Sequence, residues 1–339
     1  MLNPSKRFSR VAVAMAIGTA IVLLVLFSLN SADPSSDIRA IFEESQRILA
    51  GENPYVRTLT GNMRDNDKYP TLLPLFYLFG SLAQLLGLRE FDQWIFFWQV
   101  IFLGCHVGIA FVILRQFTRQ NLVLLGLVAF WAFLLNRWAL AVLSLSLTDP
   151  LALLLLVVSV VLLNKYRITA LLLFGTSLAI KQVGIFLFPL YLIWVWQTSP
   201  SEKKLKQLIR DTLIVLSVPV LVSLPFIIWS PAGFTQSILF SATRAPVGGD
   251  LLSLDAKLSD IEGLSTVLIG IRAKVFALFL MGLTYAAAWK YRLDRSISAL
   301  LIFLIFTGFN SVYFPQYTYW VFPFLLLSIL PSVKLRSSQ

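Results

Sequence analysis

The chain has 339 residues, of which 58% are hydrophobic and 13% are charged, and its mean hydropathy is +0.79. These values exclude an ordinary soluble core and are typical of a protein embedded in a lipid bilayer. The formal net charge of +11 does not indicate nucleic acid, because most Lys and Arg residues lie in short segments between apolar runs and set membrane topology. Cys105 is the only cysteine, which excludes an intrachain disulfide and a multi-cysteine metal site.

The first apolar run, 11–29, follows the basic residues Lys6, Arg7 and Arg10. It is longer than the apolar region of a signal peptide, about 7–15 residues, and further apolar runs follow it. We therefore expect an uncleaved first helix with the N-terminus in the cytoplasm.

The later apolar runs predict further spans by their length and their flanking residues. These spans are expected at 94–114, 122–136, 149–163, 168–180, 183–197, 212–229, 273–289, 296–312 and 317–331. Residues 1–339 are interpreted as one domain. The expected fold class is all-α, a polytopic transmembrane helical bundle of about ten spans with juxtamembrane helices on the outer side.

The segment 69–86 is apolar and just long enough to cross the bilayer, but we predict that it does not cross. If it stays on the outer side, the cytoplasmic segments collect 16 of the 28 basic residues. These residues are Lys6, Arg7, Arg10, Arg115, Arg119, Lys165, Arg167, Lys203, Lys204, Lys206, Arg210, Lys290, Arg292, Arg295, Lys334 and Arg336. A crossing segment would place the later basic clusters outside, against the positive-inside rule.

Two outer loops, 30–93 and 230–263, connect the predicted spans. Apolar residues recur at helical spacing in the first loop, with charged residues between them, which predicts an amphipathic helix along the membrane interface. The apolar positions are Ile38, Ile41, Phe42, Ile48 and Leu49. Ser36 is the expected N-cap of this helix and Gly51 its expected stop.

Several short motifs occur in order along the predicted outer side. Asp37 stands fourteen residues before the glycine of Gly51-Glu52-Asn53-Pro54-Tyr55. The others are Tyr69-Pro70, Thr148-Asp149-Pro150, Ala179-Ile180-Lys181-Gln182, and Phe314-Pro315-Gln316-Tyr317 with Trp320 and Pro323. Together they resemble the GT-C superfamily of membrane glycosyltransferases, and within it glycosyltransferase family 87 and related polyprenyl-phosphate-mannose-dependent enzymes. The family's usual tyrosine shortly after the first acidic residue is absent, since Ile41 and Phe42 stand there.

This resemblance implies a hexosyltransferase that moves one sugar, with mannose as the sugar inherited from the family, from a polyprenyl-phosphate donor to a hydroxyl acceptor with inversion. The acceptor is a lipid, a glycan or a protein, and no cofactor is expected. No metal ligand is assigned, because the outer acidic residues do not show the tight spacing of a cation site, and the dependence on a carboxylate-bound cation stays open. The partners are then the lipid-linked donor, the acceptor and membrane lipid, with no nucleic acid. The implied location is the bacterial plasma membrane, with the site on its outer face.

An inverting transfer needs a carboxylate base opposite the leaving phosphate. The resemblance assigns this role to Asp37, while the alternative is a carboxylate stabilised by the dipole of the amphipathic helix. Asp33, before Pro34, is interpreted as a turn residue and is the second candidate for the base.

Lys181, Gln182 and Arg244 are the candidate ligands of the donor phosphate. An ammonium among apolar residues is costly in lipid, so Lys181 is expected to face a polar cavity and an anion. The alternatives are that Lys181 snorkels to the outer interface and that Arg244 is a solvated loop residue.

Asp149, Gln316, Tyr317 and Tyr55 are the candidate contacts of the sugar or the acceptor. Helix capping is the alternative role of Asp149, and membership of an interfacial aromatic belt is that of Tyr317. His106, the only histidine, does not support a histidine-based metal site and is expected to form a hydrogen bond between packed helices.

Two other functions remain open. A transporter or lipid flippase is also polytopic, although it should show paired repeats or broken helices that meet at the membrane midplane. A non-catalytic scaffold would explain the hydrophobicity but not a lysine between two short helices. The basic stretch 203–210 is interpreted as a cytoplasmic segment attracted to anionic lipid.

Overall fold

The computed structural model describes residues 14–25 except 16 and 23, and residues 34–59, 70–243, 271–309 and 315–331. Within these ranges every regular element is a helix, as the sequence predicts. After a helical segment within 14–25, the α-helices are α1 (Ser36–Leu49), α2 (Leu75–Leu85), α3 (Phe91–Thr118), α4 (Val123–Leu134), α5 (Arg137–Ser144), α6 (Asp149–Leu162), α7 (Arg167–Ile180), α8 (Phe188–Thr198), α9 (Lys204–Trp229), α10 (Pro231–Thr243), α11 (Ile271–Tyr291), α12 (Arg295–Phe309) and α13 (Pro315–Leu327). Short 3-10 helices cover Pro54–Leu59, Gln182–Leu187 and Ser201–Lys203.

Most helices coincide with the predicted apolar runs, because in each run helix-forming apolar residues end at a polar residue or a break. Two helices were not predicted: α5 lies between two predicted spans, and α10 lies in the predicted outer loop 230–263. The largest difference is at α9, which begins at Lys204 rather than at 212. Leu205, Leu208 and Ile209 continue the helical spacing through the basic stretch, so the helix extends beyond its apolar part.

Two of the helices in the described ranges are long and apolar enough to cross a membrane by length and composition. They are α3, with 28 residues, and α9, with 26 residues. At 1.5 Å per residue they measure about 42 and 39 Å, against about 30 Å for the hydrocarbon core. The pair α4 and α5, bent by 43°, would make a third span if the two helices act as one. This count is smaller than the predicted number of spans, since five other apolar helices are shorter.

The predicted amphipathic helix is α1, and its bounds are set by local capping. Ser35, one residue before the predicted N-cap Ser36, accepts a hydrogen bond from the backbone N–H of Ile38 at 3.4 Å. The helix stops where predicted, because Gly51 adopts the left-handed conformation, φ +78°, that favours glycine at a helix end.

Helix α2 packs tightly along α1. The hydroxyl of Ser45 donates to the carbonyl of Tyr77 at 3.1 Å, and the amide of Gln84 donates to the carbonyl of Phe42 at 3.1 Å. Any side chain at Gly80 would meet the Ser45 hydroxyl, so the close approach of the helices requires glycine there. With 11 residues α2 is about 17 Å long, shorter than the hydrocarbon core, and the prediction that segment 69–86 does not cross the bilayer remains open to test.

Helix α7 packs against α6 and α9 in the centre of the bundle. Gly175 of α7 lies against the backbone of Val215 in α9, where a side chain would not fit. A cation stands near each end of α7, Arg167 at its start and Lys181 directly after it, and each pairs with a buried carboxylate. We call these two ends of the bundle the Asp211 end and the Asp149 end, after those carboxylates.

Candidate functional site

Asp149 is the centre of the polar cluster at its end of the bundle. It opens α6 and is followed by Pro150, whose fixed φ suits the first turn of a helix. Its side chain is completely buried, and Oδ2 accepts a hydrogen bond from Lys181 Nζ at 2.6 Å while Oδ1 accepts one from Trp320 Nε1 at 2.6 Å. Thr148 is the N-cap residue of α6, and both oxygens of Asp149 are bound by side chains from outside α6, so the structure gives Asp149 an inter-helix contact instead of a capping role.

The chain break after α7 puts Lys181 beside Asp149. Lys181 leaves the helix with extended backbone, φ −149° and ψ 118°, and the 3-10 helix starts at the next residue. The lysine is only 9% exposed, so it does not snorkel to an interface. An ammonium has three protons to donate, and among the described residues Asp149 is its one hydrogen-bond partner. Two donor positions on Lys181 therefore remain for a ligand.

Gln182, the next residue, holds a buried acceptor that has no partner in the described part of the chain. Its Nε2 donates to the carbonyl of Thr71 at 2.6 Å, while its Oε1 is buried and unpaired. Such an orphaned polar atom costs about 1–3 kcal/mol unless something hydrogen-bonds to it. A ligand hydroxyl could satisfy this oxygen.

Behind Trp320, a second layer of polar contacts fixes α13. The hydroxyl of Tyr319 lies 3.0 Å from His106 Nδ1, and His106 Nε2 lies 3.2 Å from the carbonyl of Leu134. This confirms the predicted role of His106 as a hydrogen-bonding residue between packed helices. It also fixes the indole that holds Asp149, because Tyr319 and Trp320 are neighbours on one helix.

A cavity of about 130 Å³ lies where α1, α5 and α13 meet. Asp37 and Gln316 contribute its polar side chains together with Ser35, and Ala141, Val142, Leu145 and Leu147 line the rest. The backbone N–H of Ser35 donates to the carbonyl of Leu145 at 3.1 Å and ties the start of α1 to this place. The sequence-predicted residues Asp37 and Gln316 are thus brought to one cavity.

The cavity adjoins the Asp149 cluster. Gln316 stands four residues before Trp320 on α13, on the same helix face, and Leu147 stands two residues before Asp149. Asp149 and Lys181 do not line the cavity themselves, because they face each other in the buried interior. The predicted site therefore consists of an open part around Asp37 and a buried part around Asp149.

The other predicted site residues lie elsewhere. Tyr55 is completely buried, its hydroxyl donates to the carbonyl of Leu72 at 2.7 Å, and its ring packs against Phe226 and Phe234. The structure gives Tyr55 a packing role, and its contact with an acceptor stays a prediction. The half-buried Tyr317 packs edge-on against the ring of Phe306, with the ring centroids 5.1 Å apart. Arg244 and Asp33 lie outside the described residues.

Sequence reasoning did not assign Trp320 or Glu44 to a contact. Trp320 was recognisable as part of the last motif, but its partner, 171 residues away, was not. Glu44 is one of the charged residues between the apolar positions of α1, where the sequence predicts a polar face, yet its side chain is only 2% exposed. It pairs with Arg57 and lies 3.5 Å from Arg47. Burial raises the pKa of Glu44 above its ordinary value, although Arg57 and Arg47 act in the opposite direction.

No protein-family model matches the chain, and no curated protein is significantly similar to it. Within the described ranges, no three His, Cys, Asp or Glu side chains are grouped as a metal site would require. Any functional assignment therefore rests on the residues of this chain.

Proposed function

We propose that the protein is a membrane glycosyltransferase of the GT-C type, which transfers one sugar from a polyprenyl phosphate to an acceptor hydroxyl with inversion. The observation that carries this proposal is the position of Asp37 and Gln316 on one cavity next to the Asp149–Lys181 pair. An exposed carboxylate and a buried ammonium at one end of the bundle are the two kinds of group that the reaction needs. Mannose is the sugar suggested by the resemblance to family 87.

The topology that we propose has about ten spans, with the Asp149 end on the non-cytoplasmic face of a bacterial plasma membrane. The shorter apolar helices then complete their crossings through 3-10 turns and breaks. Such irregular backbone is tolerated at membrane depth where protein surrounds it. The break between Ile180 and Gln182 suits such a position, because Ile180 and Lys181 are buried and Gln182 is half-buried.

In the proposed reaction, Asp37 takes the proton of the acceptor hydroxyl as its oxygen bonds to the anomeric carbon of the sugar. The bond between that carbon and the phosphate oxygen breaks, and the lipid phosphate leaves with the bonding electrons. The free N–H groups of Lys181 meet the charge that develops on the phosphate, in a site from which water is largely excluded. The unpaired Oε1 of Gln182 accepts a hydrogen bond from a sugar hydroxyl.

The proposal is tested by incubating the purified, reconstituted protein with a panel of radiolabelled polyprenyl-phosphate sugars and hydroxyl acceptors. We expect lipid-phosphate release coupled to labelled product with one class of donor. If no donor gives either product in a folded preparation, the protein is not such an enzyme. Movement of the intact lipid across the vesicle membrane without phosphate release would instead identify a flippase.

A further inference from the structure

A second cavity lies at the other end of the bundle, between the last turn of α8 and the end of α11. It is an open cleft of about 670 Å³, within the range of about 300–1,000 Å³ that is usual for ligand sites. Its lining includes three cations and two indoles, namely Lys204, Lys290, Arg292, Trp196 and Trp289. We call it the basic cleft.

The basic cleft carries an uncompensated positive charge. No acidic side chain lines it, and none of the ion pairs formed within the described ranges includes Lys204, Lys290 or Arg292. Arg167 and Lys181, by contrast, are each paired with a carboxylate. The three cations are therefore available to an external anion.

The walls of the basic cleft are fixed by contacts between helices. The side chain of Gln197 donates from Nε2 to the carbonyls of Ala288 at 3.0 Å and Trp289 at 3.2 Å, which joins α8 to α11. The rings of Trp196 and Trp289 lie 6.0 Å apart, and Lys204 Nζ lies 5.6 Å from the centre of the Trp196 ring. These contacts fix the two indoles and Lys204, while Lys290 and Arg292 line the exposed side of the cleft.

The position of the cleft points to an amphipathic ligand. Lys204 is the first residue of α9, which is apolar enough to span a membrane, so the cleft stands where a membrane-crossing helix leaves the apolar phase. Indole rings favour this boundary. On α11, Ala286 lines the cleft and the exposed Leu283 extends the apolar surface away from the charges. Such a site offers cations to a headgroup and an apolar surface to the chains attached to it.

We propose that the basic cleft binds the phosphodiester headgroup of an anionic phospholipid, with the acyl chains along α11. The basic residues meet the phosphate, the two indoles lie at the glycerol level, and Leu283 contacts the start of an acyl chain. Basic pockets between membrane helices are suited to anionic lipid headgroups. This inference does not depend on glycosyl transfer, and it assigns the binding to a cleft rather than to the whole basic stretch 203–210.

The test measures lipid binding to the full chain in neutral detergent by native mass spectrometry. The probes are dioctanoyl phosphatidylglycerol, dioctanoyl phosphatidylcholine and glycerophosphoglycerol, which has the same headgroup without acyl chains. We expect phosphatidylglycerol to bind best. The variant Lys204→Gln/Lys290→Gln should weaken its binding about tenfold or more, because each cation near an anionic lipid contributes roughly fivefold.

The matched control is Lys203→Gln/Lys206→Gln, which removes the same charge from the same segment but from exposed residues that do not line the cleft. This control should retain most of the binding. Equal losses in both double variants would mean diffuse attraction and overturn the proposal, as would equal binding of phosphatidylcholine. Equal binding of the headgroup alone would indicate a soluble phosphate ligand and also overturn it. If the Lys204→Gln/Lys290→Gln protein does not fold, the exposed single change Lys290→Gln decides, with Lys206→Gln as its control.

Discussion

A buried carboxylate lies near each end of α7, and the two carboxylates are neutralised by different partners. At the Asp211 end, the buried carboxylate of Asp211 meets two guanidinium groups, since Arg167 donates to Oδ2 and Arg210 donates to Oδ1 from Nε at 2.9 Å. Arg167 also donates to the hydroxyl of Ser199 at 2.9 Å. At the Asp149 end, a single ammonium and an indole serve the carboxylate.

This difference separates a structural contact from a site that can accept a ligand. At the Asp211 end, two guanidinium groups, which keep their charge in proteins, bind both oxygens of the carboxylate. The side chain of Arg210 is 52% exposed, so this network needs no ligand to complete it. Lys181 is a compact cation with unused donors, and its neighbour Gln182 holds an unpaired acceptor. The two carboxylates are equally buried, and only their partners show which of them adjoins a candidate reaction site.

The largest expected effect is the labelling of single cysteines at the two ends of the bundle, because each position should be labelled from one side of the membrane only. In a protein with Cys105 replaced by serine, a single cysteine at Glu90, the N-cap of α3, should be labelled only from outside. A cysteine at Arg119, at the other end of α3, should be labelled only from inside. A cysteine at Arg64 should behave like the one at Glu90, because segment 69–86 is predicted not to cross. Opposite labelling of positions 64 and 90 would disprove that prediction.

The second effect is on transfer at the Asp149 end. Asp37→Asn should lower the rate by about a hundred- to ten-thousand-fold, because the amide keeps the size of the side chain but cannot accept the proton. Donor binding should be retained. The matched control is Glu43→Gln, an exposed carboxylate on the same helix that does not line the cavity. Asp33→Asn should lower the rate only slightly. If Asp33→Asn is inactive and Asp37→Asn is active, the base is Asp33 and not Asp37.

The third effect compares neutral replacements of the two ion pairs. Asp149→Asn/Lys181→Gln should lower donor use roughly a hundredfold or more, since it removes donors directed at the developing phosphate charge. Its stability should change little, because no buried charge is left alone. Asp211→Asn/Arg167→Gln should leave the rate of transfer unchanged. Equal activity losses in the two double variants would remove the functional distinction between the ends.

The fourth effect concerns single variants and stability. Lys181→Ala leaves the carboxylate of Asp149 buried without its cation, and such a change costs about 3–5 kcal/mol. Asp211→Asn should cost less, about 1–3 kcal/mol, because the amide oxygen can still accept a hydrogen bond from Arg167 and the exposed Arg210 can be hydrated. Denaturation in detergent measures both values, and a larger loss for Asp211→Asn would contradict the comparison.

The smallest effect is a pH dependence at α1, close to the Asp149 end. Burial raises the pKa of Glu44, so the folded state holds this proton more tightly than the unfolded chain does. The contribution of Glu44 to the free energy of unfolding is therefore greatest below pH 4.5 and declines as the pH rises through the raised pKa. Melting curves recorded at a series of pH values measure this dependence of stability on pH. It should be weaker in Glu44→Gln than in the unmodified protein, and an equal dependence in both proteins would mean that other groups cause it.

Most of the helices, and their approximate ends, could be predicted from local features of the sequence. Apolar periodicity, the glycine at position 51 and the polar segments between runs act over a few residues, so they can be read locally. The resemblance of the motifs to a known family suggested Asp37 and Gln316 as candidates, and Lys181 was a candidate because an ammonium among apolar residues needs a partner. The local signals misplaced the N-cap by one residue, because Ser35 and Ser36 are equivalent in sequence and only Ser35 faces Ile38.

Which of these residues are in contact could not be predicted from the sequence and depends on how the helices pack. Lys181 finds Asp149 across 32 residues and Trp320 finds it across 171, and nothing in the local sequence encodes such pairings. The burial of Glu44 likewise depends on Arg57, which lies in the 3-10 helix after α1 and pairs with the carboxylate of Glu44. The physical reason is that a charge enters an apolar interior only with a partner, and the packing of several helices, rather than any one of them, supplies that partner.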